Sequence, residues 1–151
     1  HQSRVWGICY RLLNNEHDAA DAAQEVFVRL FVNRTKFAAE SKFTTWLHAI
    51  AVRTCLSLRR SSERRQRYER AAAEEASHQR RASSSAGCST SALMQMLEVL
   101  DDEDRAIVIL KYAEGHTFEE LAEIFRLSLS ACKMRVTRAR EKLRQRFGDQ
   151  F

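Results

Sequence analysis

The pattern of hydrophobic and polar residues divides the chain into two helical parts. Apolar residues recur every three to four positions, which is the spacing of one helix face, in residues 1–58 and again from Leu93 onward. The first part predicts three helices, namely one bearing Val5 to Leu12, one from about Asp18 to Val32, and one that carries Phe43 to Cys55 and ends among Arg59 and Arg60. Three helices that each have one apolar face predict a small bundle.

The second part shows the capping signals of successive short helices. Asp101–Asp104 precede an apolar face and suit the positive end of a helix, and Gly115 closes that helix. Thr117 and Glu120 form a capping box for a helix over 118–126 that presents Leu121, Ala122 and Phe125. Ser128 or Ser130 can cap the last helix, whose apolar stripe comprises Cys132, Val136, Ala139, Leu143 and Phe147. A short helix, a tight turn and a helix with a basic face are typical of a helix-turn-helix.

The two parts are separated by a polar stretch. Residues 59–92 contain no Leu, Ile, Val, Phe, Met or Trp, so they bury too little apolar surface to offset their ordering entropy. We therefore predict an all-α fold of two small helical domains, residues 1–60 and 93–151, joined by a flexible or partly helical linker, residues 61–92. Ala, Arg and Glu are good helix formers, so the first half of the linker can continue the preceding helix.

Composition narrows the classes of protein. The 151 residues include no proline and four glycines, which excludes collagen-like and turn-dense all-β folds. The four cysteines form no C-x-x-C pair, so neither a zinc site nor a disulfide framework is expected. No apolar run reaches the roughly 20 residues of a membrane span. The chain opens on His1, so we expect that the natural start is missing. We find no nucleophile–base arrangement or phosphate-binding glycine loop, and we expect no enzyme activity, cofactor, metal or small-molecule substrate.

The net charge of +5 hides two segments of opposite sign. Residues 98–123 hold nine acidic and two basic residues, whereas residues 133–146 hold seven basic residues and one acidic residue. The basic cluster lies on the last predicted helix, which favours binding to a polyanion such as DNA.

These residues resemble a known family. The run from Thr117 to Arg140 is similar to region 4 of bacterial sigma factors, and Asp18–Phe31 followed by Phe43–Ala51 resembles region 2. Region 3 of primary sigma factors has no counterpart. This combination resembles the small extracytoplasmic-function (ECF) class of the sigma-70 family.

The resemblance implies a cytoplasmic subunit that binds core RNA polymerase, at its β′ clamp helices and β flap, and directs it to promoter DNA. Region 2 would recognise the −10 element and region 4 the −35 element, and an anti-sigma factor would control the protein. Polymerase contacts are implied for Asp21, Gln24 and Glu25. Contacts to the −10 element are implied for Arg34, Lys36, Phe37, Lys42, Arg53 and Ser57. Contacts to the −35 element are implied for Ser130, Lys133, Met134, Arg135, Thr137, Arg138 and Arg140.

Within these sets the roles differ. Arg135 and Arg140 are expected to hold phosphates, and Phe37 to stack on a base, whereas the helical spacing of Phe43 and Trp46 favours the core.

The chain also departs from the family pattern. Arg53 stands where the family usually has Asn, Ser57 where Asn or Asp is frequent, and Arg126 where a turn glycine is usual; Cys132 and Met134 replace Val and Ser.

Two other interpretations stay open at this point. A stand-alone helix-turn-helix regulator would bind DNA without polymerase, but it leaves residues 18–51 unexplained. An interaction module with a merely solvated basic helix leaves the charge of residues 133–146 unexplained.

Overall fold

A computed structural model describes residues 1–76 and 92–148, and within these ranges it contains α-helices, one short 3-10 helix and no strand. The helices are α1 (Gln2–Leu13), α2 (Glu16–Val32), the 3-10 helix (Arg34–Lys36), α3 (Phe43–Ala76), α4 (Ala92–Leu97), α5 (Asp102–Tyr112), α6 (Phe118–Phe125) and α7 (Leu129–Phe147). The predicted all-α fold is confirmed.

Helices α1 to α3 pack as the predicted bundle. Asn14 ends α1 in a left-handed conformation with φ of 53°, and the Asn15 side chain accepts a hydrogen bond from the Asp18 N–H at the start of α2. Their apolar faces meet in a buried core made of Val5, Ile8, Cys9, Leu12, Ala19, Ala22, Ala23, Val26, Leu47, Ile50, Ala51, Val52 and Cys55.

Helix α3 is longer than the apolar pattern predicts. The expected end among Arg59 and Arg60 is wrong, because the helix continues to Ala76 and so includes the first half of the predicted linker. The Ala, Arg and Glu residues of this extension sustain a helix without burial, as their propensities allow. The rest of that linker, residues 77–91, lies outside the described residues, as do residues 149–151. The domain boundaries therefore remain a prediction.

Helices α5 to α7 begin at predicted N-terminal caps. Asp101 accepts the Asp104 N–H at the start of α5. The predicted end of α5 at Gly115 is wrong, because Ala113 is its C-cap and Gly115, with φ of +74°, lies two residues further on in the turn to α6. The capping box is confirmed, since Thr117 accepts the Glu120 N–H while the Glu120 carboxylate accepts the Thr117 N–H. Of the two candidate serines, Ser128 caps α7 by accepting the Ala131 N–H.

The apolar faces of this second half are buried, except at the ends of its helices. The α6 face is centred on Leu121 and Ile124, with Phe125 only half-buried, whereas Leu93 and Tyr112 are exposed. Short helices expose the ends of their apolar stripes because few neighbours cover them. The α7 stripe is confirmed for Cys132, Val136, Ala139 and Leu143, and Phe147 is half-buried.

The two halves pack against each other. Helix α3 contacts α5 and α6, and α1 contacts α5, so the acidic front of the second half lies on the first.

Candidate nucleic-acid interface

The outer face of α7 is the clearest candidate for duplex DNA. Its buried stripe anchors the helix on α5 and α6 and leaves the opposite side in solvent. Six of the seven predicted −35 residues are exposed there, namely Ser130, Lys133, Met134, Thr137, Arg138 and Arg140. A helix of 19 residues with this face, preceded by a tight turn, has the form of a recognition helix.

The turn before α7 requires an unusual backbone. Arg126 ends α6 in a left-handed conformation with φ of 54°, where the family has glycine. The Leu127 N–H donates to the Ala122 carbonyl at 2.9 Å and so completes the turn. The left-handed region costs a non-glycine residue about 1 kcal/mol or more. The geometry of the helix-turn-helix is thus kept at some expense in stability.

Arg135 differs from the other predicted −35 residues. It is half-buried, and its guanidinium pairs with Glu103 at 2.7 Å and with Asp104 at 3.4 Å. Asp104 in turn pairs with Lys142. A phosphate contact by Arg135 would compete with these carboxylates. The pairing therefore favours a structural role for Arg135 over the expected contact with DNA.

An aromatic cluster lies beside the loop that precedes α3. The Phe37 ring lies 5.0 Å from Trp46 and 5.8 Å from Phe43, measured between centroids. Phe43 is 38% exposed, so its assignment to the core is wrong, and Trp46 is half-buried. Helical spacing does not predict the exposure of Phe43, because it cannot show that the first turn of α3 extends beyond the three-helix bundle. The cluster offers exposed aromatic surface for stacking a base.

Basic residues near this cluster are in two different situations. Arg34 and Lys36 are exposed, with the Arg34 guanidinium 4.2 Å from the Phe31 ring centroid. Lys42 and Arg53 are also exposed, but each contacts α6: Lys42 pairs with Glu120 at 3.0 Å, and Arg53 approaches the Ile124 carbonyl at 3.4 Å. Burial, and then the charge of Arg126, lower the pKa of Arg53.

The Arg53 side of α3 forms one wall of a cleft between the two halves. The cleft has a volume of about 410 Å³, and Ser57 lies on the same wall. The opposite wall includes Glu103, Arg126 and Arg135. Two predicted −10 residues therefore face the second half of the molecule.

The predicted polymerase-binding face lies on α2. Asp21 and Gln24 are exposed and Glu25 is half-buried, with Glu25 paired to Arg29 at 2.7 Å. The same helix ends in three exposed apolar residues, Val28, Phe31 and Val32, at 57%, 66% and 67% exposure. This apolar surface was not predicted from the sequence, because only the polar side of α2 was expected to bind a partner.

A buried pair of histidines lies at the centre of the contact between the halves. His48 Nδ1 of α3 and His116 Nε2 are 2.7 Å apart, and His116 Nδ1 lies 3.0 Å from a Glu120 carboxylate oxygen. Because the ionised carboxylate only accepts, His116 donates to it from Nδ1, and one hydrogen bond joins His116 Nε2 to His48 Nδ1. Sequence reasoning missed this chain, since no local pattern links two histidines that are 68 residues apart.

The electrostatics of this chain follow from its burial and its partners. Burial, and then His116 and Arg4, lower the pKa of His48 to about 4, and Glu120 opposes them. Burial alone would raise the pKa of Glu120, but hydrogen bonds from the Thr117 N–H, Lys42 and His116 outweigh it and lower the pKa to about 2. His48 is thereby held neutral and Glu120 is held ionised.

The described part of the chain offers no group of three residues suited to holding a metal ion. None of the described helices combines the length and apolar character needed to cross a membrane.

Comparison with known proteins agrees with this architecture. The fold defines a two-part, all-α protein whose second half contains a helix-turn-helix. The sequence model of Sigma-70 region 2 matches residues 1–65, and that of Sigma-70, region 4 matches residues 90–143. Together with an ECF sigma factor that is 30% identical over nearly the whole chain, these matches show that the chain belongs to the ECF RNA polymerase sigma factors, which initiate transcription.

Individual relatives support the same family. The chain is 30% identical to the ECF RNA polymerase sigma factor SigW of Bacillus subtilis, over 99% of this chain and 86% of the relative. It is 29% identical to the RNA polymerase sigma factor CarQ of Myxococcus xanthus, with the same two shares covered. Its fold matches that of the sigma factor RpoE of Bartonella quintana, solved in complex with the anti-sigma factor NepR. That match has a TM-score of 0.70 and 19% identity, and it covers 99% of this chain and 93% of the other.

Proposed function

We propose that this sigma factor binds core RNA polymerase through the α2 face and directs it to promoters with two elements. The observation that carries the proposal is the order of the two family regions along one chain, the second of which ends in an exposed recognition helix. The polymerase supplies the chemistry of RNA synthesis, so the sigma factor itself needs no catalytic group. The site of action is the cytoplasm, where polymerase works.

The α2 face would dock on the β′ clamp helices. Asp21, Gln24 and Glu25 supply its polar contacts, and the neighbouring exposed residues Phe31 and Val32 supply apolar area. Apolar residues flanked by charged ones are typical of the centre and rim of a protein interface. The second domain would approach the β flap.

Promoter reading is divided between the two halves. The aromatic cluster of Phe37, Phe43 and Trp46 would stack on an unpaired base of the −10 element, while Arg34 and Lys36 bind phosphates. The exposed residues of α7 would enter the major groove at the −35 element, where Lys133, Thr137 and Arg138 meet base edges. Arg53 in place of the family's Asn changes which −10 base is preferred.

An anti-sigma factor is the expected regulator. The support is the family membership and the structural neighbour, which was solved with such a partner.

Run-off transcription tests the proposed function. Core polymerase is assayed with and without this protein on a pool of genomic promoters, and we expect transcripts with defined start sites only when the protein is present. A variant with Asp21→Lys and Glu25→Lys is the control, since it should lose transcription and keep α7 binding to duplex DNA. DNA binding without any transcript from the pool would instead support a stand-alone helix-turn-helix regulator.

A further inference from the structure

Two departures from the family pattern meet in the cleft between α3 and the turn before α7. Arg53 stands where the family usually has Asn, and Arg126 stands where a turn glycine is usual. Although they are far apart in the sequence, both residues line the same cleft of about 410 Å³. The departures therefore place two guanidinium groups at one site, where the family pattern has an amide and a residue without a side chain.

These two arginines are not neutralised by neighbouring acids. Among the described residues that line the cleft, the one acid is Glu103, and it pairs with Arg135 at 2.7 Å and with Arg60 at 3.4 Å. Within residues 1–76 and 92–148, neither Arg53 nor Arg126 takes part in an ion pair. Burial, and then the charge of Arg126, lower the pKa of Arg53, so two like charges lie close together. This arrangement favours an anion between them.

The backbone of Arg126 gives a second reason to expect a role for its side chain. Its φ of 54° lies in the left-handed region, which glycine adopts without strain and other residues adopt at a cost in stability. Strained conformations of this kind cluster at binding and catalytic sites, where the strained residue serves a function. A bound anion would give Arg126 a function that glycine cannot supply.

The chemistry of the cleft suits a diphosphate group. A guanidinium is a planar fork that binds phosphate oxygens in pairs, so two such groups side by side match two linked phosphates. The volume of the cleft falls within the range of small-molecule pockets, about 300–1,000 Å³. Phe125 and Leu127 are half-buried and add apolar surface to the wall, which suits the base of a nucleotide.

We propose that Arg53 and Arg126 bind a diphosphate group in this cleft, as carried by inorganic diphosphate or by a nucleoside diphosphate. Ser57, on the same wall as Arg53, donates a further hydrogen bond to a phosphate oxygen. The site itself does not depend on the proposed function. Because Arg53 and Ser57 also belong to the residues expected at the −10 element, the bound anion competes with that strand, and this consequence rests on the proposed function.

Isothermal titration calorimetry on the full chain tests the site. The probes are inorganic diphosphate, ADP and GDP, with orthophosphate and adenosine for comparison. We expect one ligand per protein, a Kd below about 1 mM for the three diphosphates, and at least about tenfold weaker binding of orthophosphate and adenosine. Tighter binding of ADP or GDP than of inorganic diphosphate assigns a contact to the base, whereas equal binding assigns the phosphates alone as the ligand.

Two variants remove the proposed ligand-binding groups without endangering the fold. Arg126→Gly removes one guanidinium and relieves the strained backbone, and Arg53→Asn restores the usual family residue at an exposed position. Each should weaken diphosphate binding by about ten- to a hundredfold, as expected for the loss of a hydrogen bond between charged groups.

Matched controls remove one positive charge elsewhere. Arg67→Gln lies on the exposed end of α3, and Arg138→Ala lies on the exposed face of α7. Both variants should bind diphosphate as the unaltered protein does. An equal loss in Arg67→Gln and Arg126→Gly overturns the proposal, because it would reflect the general attraction of a basic protein for anions. A failure of all three diphosphates to bind up to about 5 mM overturns it as well.

Competition with DNA is measured by anisotropy of a short fluorescein-labelled single-stranded DNA at constant ionic strength. Added diphosphate should displace this DNA from the unaltered protein and much less from Arg126→Gly. If Arg126→Gly weakens DNA binding but leaves diphosphate binding unchanged, Arg126 contacts the DNA backbone and the proposed site is wrong.

The diphosphate site and the proposed function fail in different assays. Diphosphate that binds in calorimetry without displacing DNA overturns the competition with the −10 strand. Run-off reactions without transcripts overturn the proposed function and leave the measured diphosphate affinity, and its loss in Arg126→Gly, standing.

Discussion

The two candidate DNA surfaces of this molecule differ in their contacts with the other half. On α7, Lys133, Thr137 and Arg138 are exposed to solvent, and only Arg135 at the margin of that face is held by carboxylates. On the first half, Lys42 and Arg53 are engaged by α6. The contact does not bury the second surface, since the Lys42 side chain is 75% exposed and Arg53 and Ser57 are exposed. The comparison shows that the charge segregation along the chain serves packing as well as DNA binding.

Removing buried volume from the core beneath α6 should have the largest effect on the difference between the two surfaces. Leu121 is fully buried in the second half, so Leu121→Ala is expected to lower the free energy of unfolding by about 2–5 kcal/mol. Loss of α6 packing should abolish duplex binding by α7 and spare binding of single-stranded DNA to the first half. Denaturant unfolding followed by circular dichroism, with anisotropy for each DNA, measures both effects.

Leu47→Ala is the matched control, because Leu47 is equally buried in the first half. It should weaken binding of single-stranded DNA and spare duplex binding. The same effect of both variants on both DNAs would contradict the assignment of one surface to each half.

Acidification should act on the contact between the halves through His48. Its pKa is about 4 in the folded protein against 6.5 without the protein's influence, so above about pH 6.5 it is neutral in both states and adds no pH dependence. As the pH falls from 6.5 toward 4, the unfolded chain gains a proton that the folded protein does not. The free energy of unfolding should therefore decrease, by up to about 3 kcal/mol.

The His48→Gln variant isolates this contribution. Denaturant unfolding at several pH values should show a shallower slope between pH 6.5 and 4 than in the unaltered protein. Glu120, whose pKa is about 2 against 4.5, adds its own decrease below about pH 5.5, and this contribution is common to both proteins. Identical slopes in the two proteins would show that His48 is not held neutral by folding.

Two arginines on the exposed face of α7 test how this surface binds duplex DNA. Arg138→Ala should weaken −35 duplex binding by about 1–3 kcal/mol and relax the sequence preference, if its guanidinium reads a base edge. Arg140→Ala should weaken all duplexes alike and reduce the salt dependence, as expected for a phosphate contact. Anisotropy titrations against a small set of duplexes at two salt concentrations distinguish these roles. A uniform loss for Arg138→Ala would reassign that residue to the backbone.

The smallest expected effect comes from the turn before α7. Arg126→Gly relieves the left-handed conformation at φ of 54° and should raise the free energy of unfolding by about 1 kcal/mol. It also removes a positive charge near Arg53, which should tighten the contact between the halves. Thermal unfolding measures the first consequence, and energy transfer between dyes placed through Ser3→Cys and Gln145→Cys measures the second. A fall in the unfolding temperature would mean that contacts of the Arg126 side chain outweigh the backbone strain.

Local features of the fold were predictable because they depend on neighbouring residues. The capping box of Thr117 and Glu120, the Asp101 cap and the buried stripe of α7 each follow from spacing within one or two turns. The end of α3 was not predictable from apolar periodicity, since the Ala- and Arg-rich extension is helical without being buried.

The candidate site also has some features that local sequence predicts and others that it does not. Exposure of Lys133, Met134 and Thr137 followed from the helix geometry of α7. The pairing of His48 with His116, and of Lys42 with Glu120, depends on how the two halves meet. Such contacts over long sequence separation leave no periodic signal in a single sequence.

The length of α3 has a consequence for assembly with polymerase. At 1.5 Å per residue its 34 residues measure about 51 Å, and residues 61–76 account for about 24 Å of this length. Ordering a backbone residue costs roughly 1–2 kcal/mol, and in this part of the connection that cost is met when the protein folds. The two promoter-reading units are therefore joined in part by a preorganised arm, which lessens the entropy lost when polymerase fixes their separation.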